Sequence, residues 1–125
     1  MIYGIGIDLV RISRLEEVVN RRGKRFLERV FTPQEIEYCS SKALKIQHYA
    51  VRFAAKEAVF KAFGTGWSQG VTWHDVEVFS DEEGRPQIRL SGKCQQLARE
   101  LQVKQILVSL SHDGDYAIAQ ALIEC

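Results

Sequence analysis

The chain has 125 residues, 46% hydrophobic and 26% charged, with a formal net charge of +1. That is the make-up of one soluble globular domain spanning residues 1–125, and it excludes any strong global attraction to nucleic acid or to an anionic membrane. No segment approaches a membrane-spanning apolar run, no signal peptide is apparent, and Cys39, Cys94 and Cys125 lack metal-site spacing. The expected location is the cytoplasm.

Met1 to Val10 reads as a strand with Tyr3, Ile5, Ile7 and Leu9 on one face. Its other face carries Ile2, Gly4, Gly6 and Asp8, bare enough for a backbone or a ligand to approach closely. Asp8 closes that face at the strand end, where side chains often meet a ligand; taken alone, a turn or cap aspartate is the favoured reading. Ser13-Arg14-Leu15-Glu16 has the form of a capping box, which predicts a helix burying Leu15, Val18 and Val19. The positive charge concentrates here: Arg11, Arg14, Arg21, Arg22, Lys24, Arg25 and Arg29 face only Glu16, Glu17 and Glu28 between residues 11 and 30. Arg14, Arg21 and Arg25 share one face if the helix continues past Gly23. A solvated helix face is the default reading of such charge; apolar residues among the arginines fit an acidic protein partner better than a phosphate track.

Thr32-Pro33-Gln34-Glu35 is a second capping box, with proline at the first helical position. A central helix is predicted from about Ala43 to Phe63, ended by Gly64. Within it Phe53, Glu57, Phe60 and Gly64 fall on one stripe, so a carboxylate is carried on a face that should point inward. An unpaired buried carboxylate is costly, so Glu57 should meet a cation or strong donors; Lys61, one turn on, and a bound metal are the candidates, and an exposed Glu57–Lys61 pair is the alternative. The turn Gly64-Thr65-Gly66 follows a helix C-terminus, the wrong pole for anions, which Lys61 and nearby N–H groups would have to offset.

Trp73 to Phe79 and Gln87 to Leu90 read as a hairpin with a polar tip. Ser91 is placed to cap a helix burying Leu97, Ala98 and Leu101. Gln105 to Ser111 and Tyr116 to Ile123 form a closing antiparallel pair, Ile106, Val108 and Leu110 on one face and Leu107, Ser109 and Ser111 on the other. His112 ends a strand bearing two serines, which indicates a polar pocket wall; a satisfied turn histidine is the alternative. Five strands with three or four helices indicate an α+β fold, a mostly antiparallel sheet packed against helices on one face.

Asp8 and Glu57, with Lys61 a turn beyond, suit a magnesium ion held by one or two carboxylates, substrate phosphates and water. No Walker A, kinase or dinucleotide motif is present, so the residues allow phosphate-group chemistry without a nucleotide-triphosphatase fold. Three ordered motifs then become informative together: Gly4-Ile5-Gly6-Ile7-Asp8, Arg52-Phe53-Ala54-Ala55-Lys56-Glu57-Ala58 with Lys61, and Leu110-Ser111-His112-Asp113. With Phe31-Thr32-x-x-Glu35 and Leu90-Ser91-Gly92 they resemble the holo-acyl-carrier-protein synthases, the small single-domain 4′-phosphopantetheinyl transferases, over nearly the whole chain. Ala54 stands where the broader superfamily often has Ser, Cys or Thr.

The resemblance implies that coenzyme A donates its 4′-phosphopantetheine arm to a serine of apo acyl carrier protein, in support of fatty acid biosynthesis. It implies that Asp8 and Glu57 bind Mg²⁺, and that Lys61 stabilises the pyrophosphate or leaving phosphate. Gly64, Thr65 and His112 would hold the 3′-phosphoadenosine end. The base that takes the serine proton stays open between Glu57 and a water on the metal. A homotrimer with sites between subunits is implied as well. Because acyl carrier proteins are acidic, Arg14, Arg21, Arg22 and Arg25 are assigned to docking. Two other classes compete: a non-catalytic coenzyme A or nucleotide-binding module, against which the joint presence of Asp8 and Glu57 argues, and a small nucleic-acid binder, against which the near-zero net charge argues.

Overall fold

The strand β1, Ile2–Arg11, and the helix α4, Lys45–Phe63, lie backbone to backbone. The glycine face of β1 makes this approach feasible. A Cβ on Gly4 would sit 2.0 Å from the Ala62 carbonyl oxygen, and one on Gly6 would sit 1.9 Å from that of Ala58. The bare face predicted from sequence is therefore occupied by another backbone.

The computed structural model describes residues 1–64 and 70–125. Between β1 and α4 run α1 (Ile12–Arg22), α2 (Lys24–Val30) and α3 (Pro33–Ser40). A short 3-10 turn, Trp73–Asp75, leads into β2 (Val76–Ser80) and β3 (Pro86–Leu90); α5 (Gly92–Glu100), β4 (Gln105–Asp113) and β5 (Tyr116–Glu124) complete the order. All pairing is antiparallel: β5 lies between β1 and β4 in one sheet, and β2 with β3 forms a second. The fold is α+β, as the strand and helix patterning indicates. Ala119, Ala121 and Ile123 of β5 are buried with Ala54, Ala55, Ala58 and Ala62 of α4, and Ala117 with Ala50. Small residues on both sides let the helix settle close to the sheet. Among the described residues the opposite face of the sheet has no cover: Ile5, Ile7 and Leu9 are 59%, 56% and 61% exposed.

Three local expectations need correction. Among the described residues there are five α-helices, not three or four, because Gly23 breaks the basic helix in two at φ 63° and ψ −143°. Ser13 does not cap α1, which starts one residue earlier; its N–H and Oγ both donate to the Asp115 carboxylate, at 2.9 and 2.6 Å. Ser91 precedes α5, but its hydroxyl donates to the His74 carbonyl, and Asp75 accepts the α5 amide of Cys94 instead. In both cases a carboxylate from a distant turn outcompetes the local hydroxyl for the helix-end donors. The Thr32–Glu35 capping box forms as expected.

Candidate active site

The period-two alternation of β1 turns Asp8 towards α4 just past the glycines, where the strand clears the helix backbone. The 3.6-residue period of α4 brings Glu57 to the same cleft, about 330 Å³, walled by Arg11, Arg14, Val18, Phe26 and Phe53. Lys61 Nζ donates to Asp8 Oδ1 and to the Ile7 carbonyl oxygen, each at 3.0 Å. The lysine one turn beyond Glu57 is thus taken by the other carboxylate. Among the described residues Glu57 has no hydrogen bond or ion pair. Partial burial pushes its pKa above the usual carboxylate value, the neighbouring Asp8 charge adds to that, and Lys61 pulls it back.

Two carboxylates on one cleft, one lacking a cation of its own, fit a hard divalent ion whose remaining ligands are waters and substrate phosphates. No group of three or more His, Cys, Asp or Glu is placed to hold a metal among the described residues.

Of the other predicted residues only Arg14 shares this cleft among the described residues. Arg14 lines the carboxylate cleft, whereas Arg21, Arg22 and Arg25 line a neighbouring groove of about 950 Å³ with Arg29 and Trp73, and Phe26 borders both. The shared face expected from one continuous helix is therefore divided between two concavities. His112 is exposed and lines a smaller pocket with Gln47, His48 and Val51, apart from Asp8 and Glu57. Gly64 ends α4 in the left-handed region at φ 79°, and its N–H is committed to the Phe60 and Lys61 carbonyls. Thr65 lies outside the described residues.

The sequence reading passed over two residues of its own motifs. Lys56 and Glu35 are fully buried and paired at 2.8 Å. Burial pulls the Lys56 pKa down, and the Glu35 charge opposes that. A lysine among alanines on a helix was the available signal, and it pointed to no partner until α3 was placed.

These residues belong to a known pattern: residues 4–121 match the model of the 4′-phosphopantetheinyl transferase superfamily. The chain belongs to that superfamily. It is 52% identical over 124 residues to the holo-[acyl-carrier-protein] synthase of Geobacter sulfurreducens, covering 99% of this chain and 98% of that protein. The crystal structure of the Neisseria meningitidis holo-[acyl-carrier-protein] synthase superposes with a TM-score of 0.93 at 30% identity, covering all of both chains. The Helicobacter pylori enzyme, solved in complex with coenzyme A, gives 0.85 at 33% identity, covering 96% of this chain and 99% of that one. The transferase is an enzyme of the holo-[acyl-carrier-protein] synthase family, and its cleft occurs on the fold of relatives that bind coenzyme A.

Proposed function

We propose that this protein transfers the 4′-phosphopantetheine arm of coenzyme A to a serine of apo acyl carrier protein in a Mg²⁺-dependent reaction. The serine oxygen attacks the β-phosphorus and adenosine 3′,5′-bisphosphate leaves. The observation that carries this reading is Asp8 and Glu57 on one cleft, with Lys61 bonded to Asp8 and no ion pair to Glu57 among the described residues. Asp8 and Glu57 would hold the metal, which supplies positive charge against the pyrophosphate when bound. Lys61, its side chain 51% exposed, is accessible to a phosphate oxygen at the same place. Phe26 and Phe53 form the apolar wall of the cleft and limit water there.

His112, with Gly64 and Thr65, would hold the 3′-phosphoadenosine end. Since His112 faces a separate pocket of its own chain, it completes the site of a neighbouring subunit in a homotrimer. The uncovered apolar sheet face supports that assembly. Arg14, Arg21, Arg22 and Arg25 would receive the acidic carrier protein. The transferase acts as a single domain in the cytoplasm, in support of fatty acid biosynthesis. No helix among the described residues is long and apolar enough to cross a membrane.

The deciding experiment is mass spectrometry of apo acyl carrier protein incubated with this protein, coenzyme A and Mg²⁺. One phosphopantetheine gained on a serine is the expected result. No gain across a range of pH and metal concentration would overturn the proposal.

A further inference from the structure

Lys56 is fully buried, and its ammonium meets three acceptors from three different segments: Glu35 Oε1 of α3 at 2.8 Å, the Trp73 carbonyl at 3.1 Å, and the Val76 carbonyl of β2. An ammonium has three donors, so the site is filled to its valence. Glu35 is equally committed. Its Oε1 also accepts the Thr32 N–H at 2.8 Å, and its Oε2 accepts the Val78 N–H at 2.8 Å. A buried ion pair is weak evidence for stability, because apolar residues of similar volume are often as good; fixing a register is its better-attested use.

The register fixed here is that of the helix carrying Glu57. Lys56 precedes Glu57 on α4, so its three anchors limit rotation and sliding of the helix on the α3 and β2 side. On the β1 side the Gly4 and Gly6 contacts with Ala62 and Ala58 limit the same movements, and β1 carries Asp8. Trp73, whose carbonyl Lys56 holds, packs its ring on Phe53 and Phe60, at 5.1 and 5.9 Å between centroids. Those two residues flank Glu57 on its own stripe.

We infer that Lys56 and Glu35 are positioning residues for the metal site, holding the Glu57 carboxylate at its working distance from Asp8. The inference rests on the proposed reading of Asp8 and Glu57 as metal ligands. Loss of a group that orients a metal ligand typically weakens metal affinity about 10–100-fold, and the same range is expected here.

The test is Mn²⁺ binding to the full chain with saturating coenzyme A and no carrier protein, followed by electron paramagnetic resonance of the free ion. Lys56→Met combined with Glu35→Gln removes both charges together. Glu35→Asp keeps both charges but withdraws the carboxylate by one methylene, and it decides the matter if the double variant does not fold. The expected result is weakened Mn²⁺ binding by folded protein, with a raised KM for Mg²⁺ and kcat recovered at high Mg²⁺. A lowered melting temperature with wild-type Mn²⁺ affinity in Glu35→Asp would overturn the inference, provided Glu57→Gln abolishes binding. If Glu57→Gln binds Mn²⁺ like the wild type, the metal-site reading falls and the inference with it.

Discussion

Glu57 carries a charge that the apoprotein does not want. Its folded pKa lies above the ordinary 4.5, chiefly through burial and then through Asp8. A raised carboxylate pKa gives stability that is fully present below pH 4.5 and is lost as pH rises through the folded value. At neutral pH the ionised group therefore weakens the fold, and a cation relieves it. Glu57→Gln should leave apoprotein stability at pH 7 equal to or above wild type, abolish transfer, and remove the rise in melting temperature produced by Mg²⁺. Proton and metal compete for the carboxylate, so apparent Mg²⁺ affinity should fall as pH falls. A melting temperature that drops with the activity would make Glu57 structural instead.

The thiols form a second residue-scale case. Burial pushes Cys39 up to about 11 and Cys94 up to about 12, the nearby Asp75 charge adding to the rise at Cys94. Raised thiol pKa values stabilise the fold below pH 9.0, and that contribution is lost as pH rises towards 11 and 12. Native protein should alkylate with iodoacetamide at Cys125 alone, since Cys39 and Cys94 are buried. Peptide mapping after labelling at pH 8 checks this, and a stability loss beginning above pH 9 should accompany it. Rapid native labelling of Cys94 would show that α5 opens readily.

At the scale of elements, the β1–α4 contact decides where both carboxylates stand. Gly6→Ala would place its Cβ 1.9 Å from the Ala58 carbonyl oxygen and 2.8 Å from the Ala62 nitrogen, both backbone atoms that have little room to give. Overpacking of this kind costs about 3 kcal/mol. Urea denaturation should register that loss, and Mg²⁺ affinity should fall alongside it as Asp8 moves off Glu57. An unchanged midpoint would mean that β1 and α4 separate without cost.

The two concavities lined by arginines act at the scale of the whole molecule. Arg14 stands on the carboxylate cleft and Arg21 on the groove beside it, so one carrier protein bridging Phe26 would meet both. Arg14→Glu with Arg21→Glu should raise KM for the carrier protein several-fold, leave KM for coenzyme A unchanged, and show a larger effect as salt is lowered. Unaltered carrier-protein kinetics at low salt would reduce these residues to a solvated surface. The exposed Ile5, Ile7 and Leu9 give a further expectation. Ile5→Lys with Ile7→Lys should shift the protein from trimer to monomer in analytical ultracentrifugation and lower activity by separating His112 from its neighbour's cleft. A wild-type protein that sediments as a monomer would remove the basis for that expectation.

Features encoded within a few residues of chain were legible before any folding. The strand and helix periods, the Thr32 capping box, the Gly64 stop and the bare Gly4 and Gly6 face follow from spacing and backbone preference. The placing of Asp8 and Glu57 at inward element positions was legible for the same reason, and the ordered motifs gave the family. Which groups those elements meet depends on how they pack. Asp115 takes the helix-end donors from across 102 residues, and Lys61 reaches Asp8 across 53 and does not pair with Glu57. Arg14 and Arg21 of one helix line different concavities, and Glu35 supplies the buried partner of Lys56. Such pairings cost chain entropy and are selected by how whole elements pack, so no local pattern in the sequence specifies them.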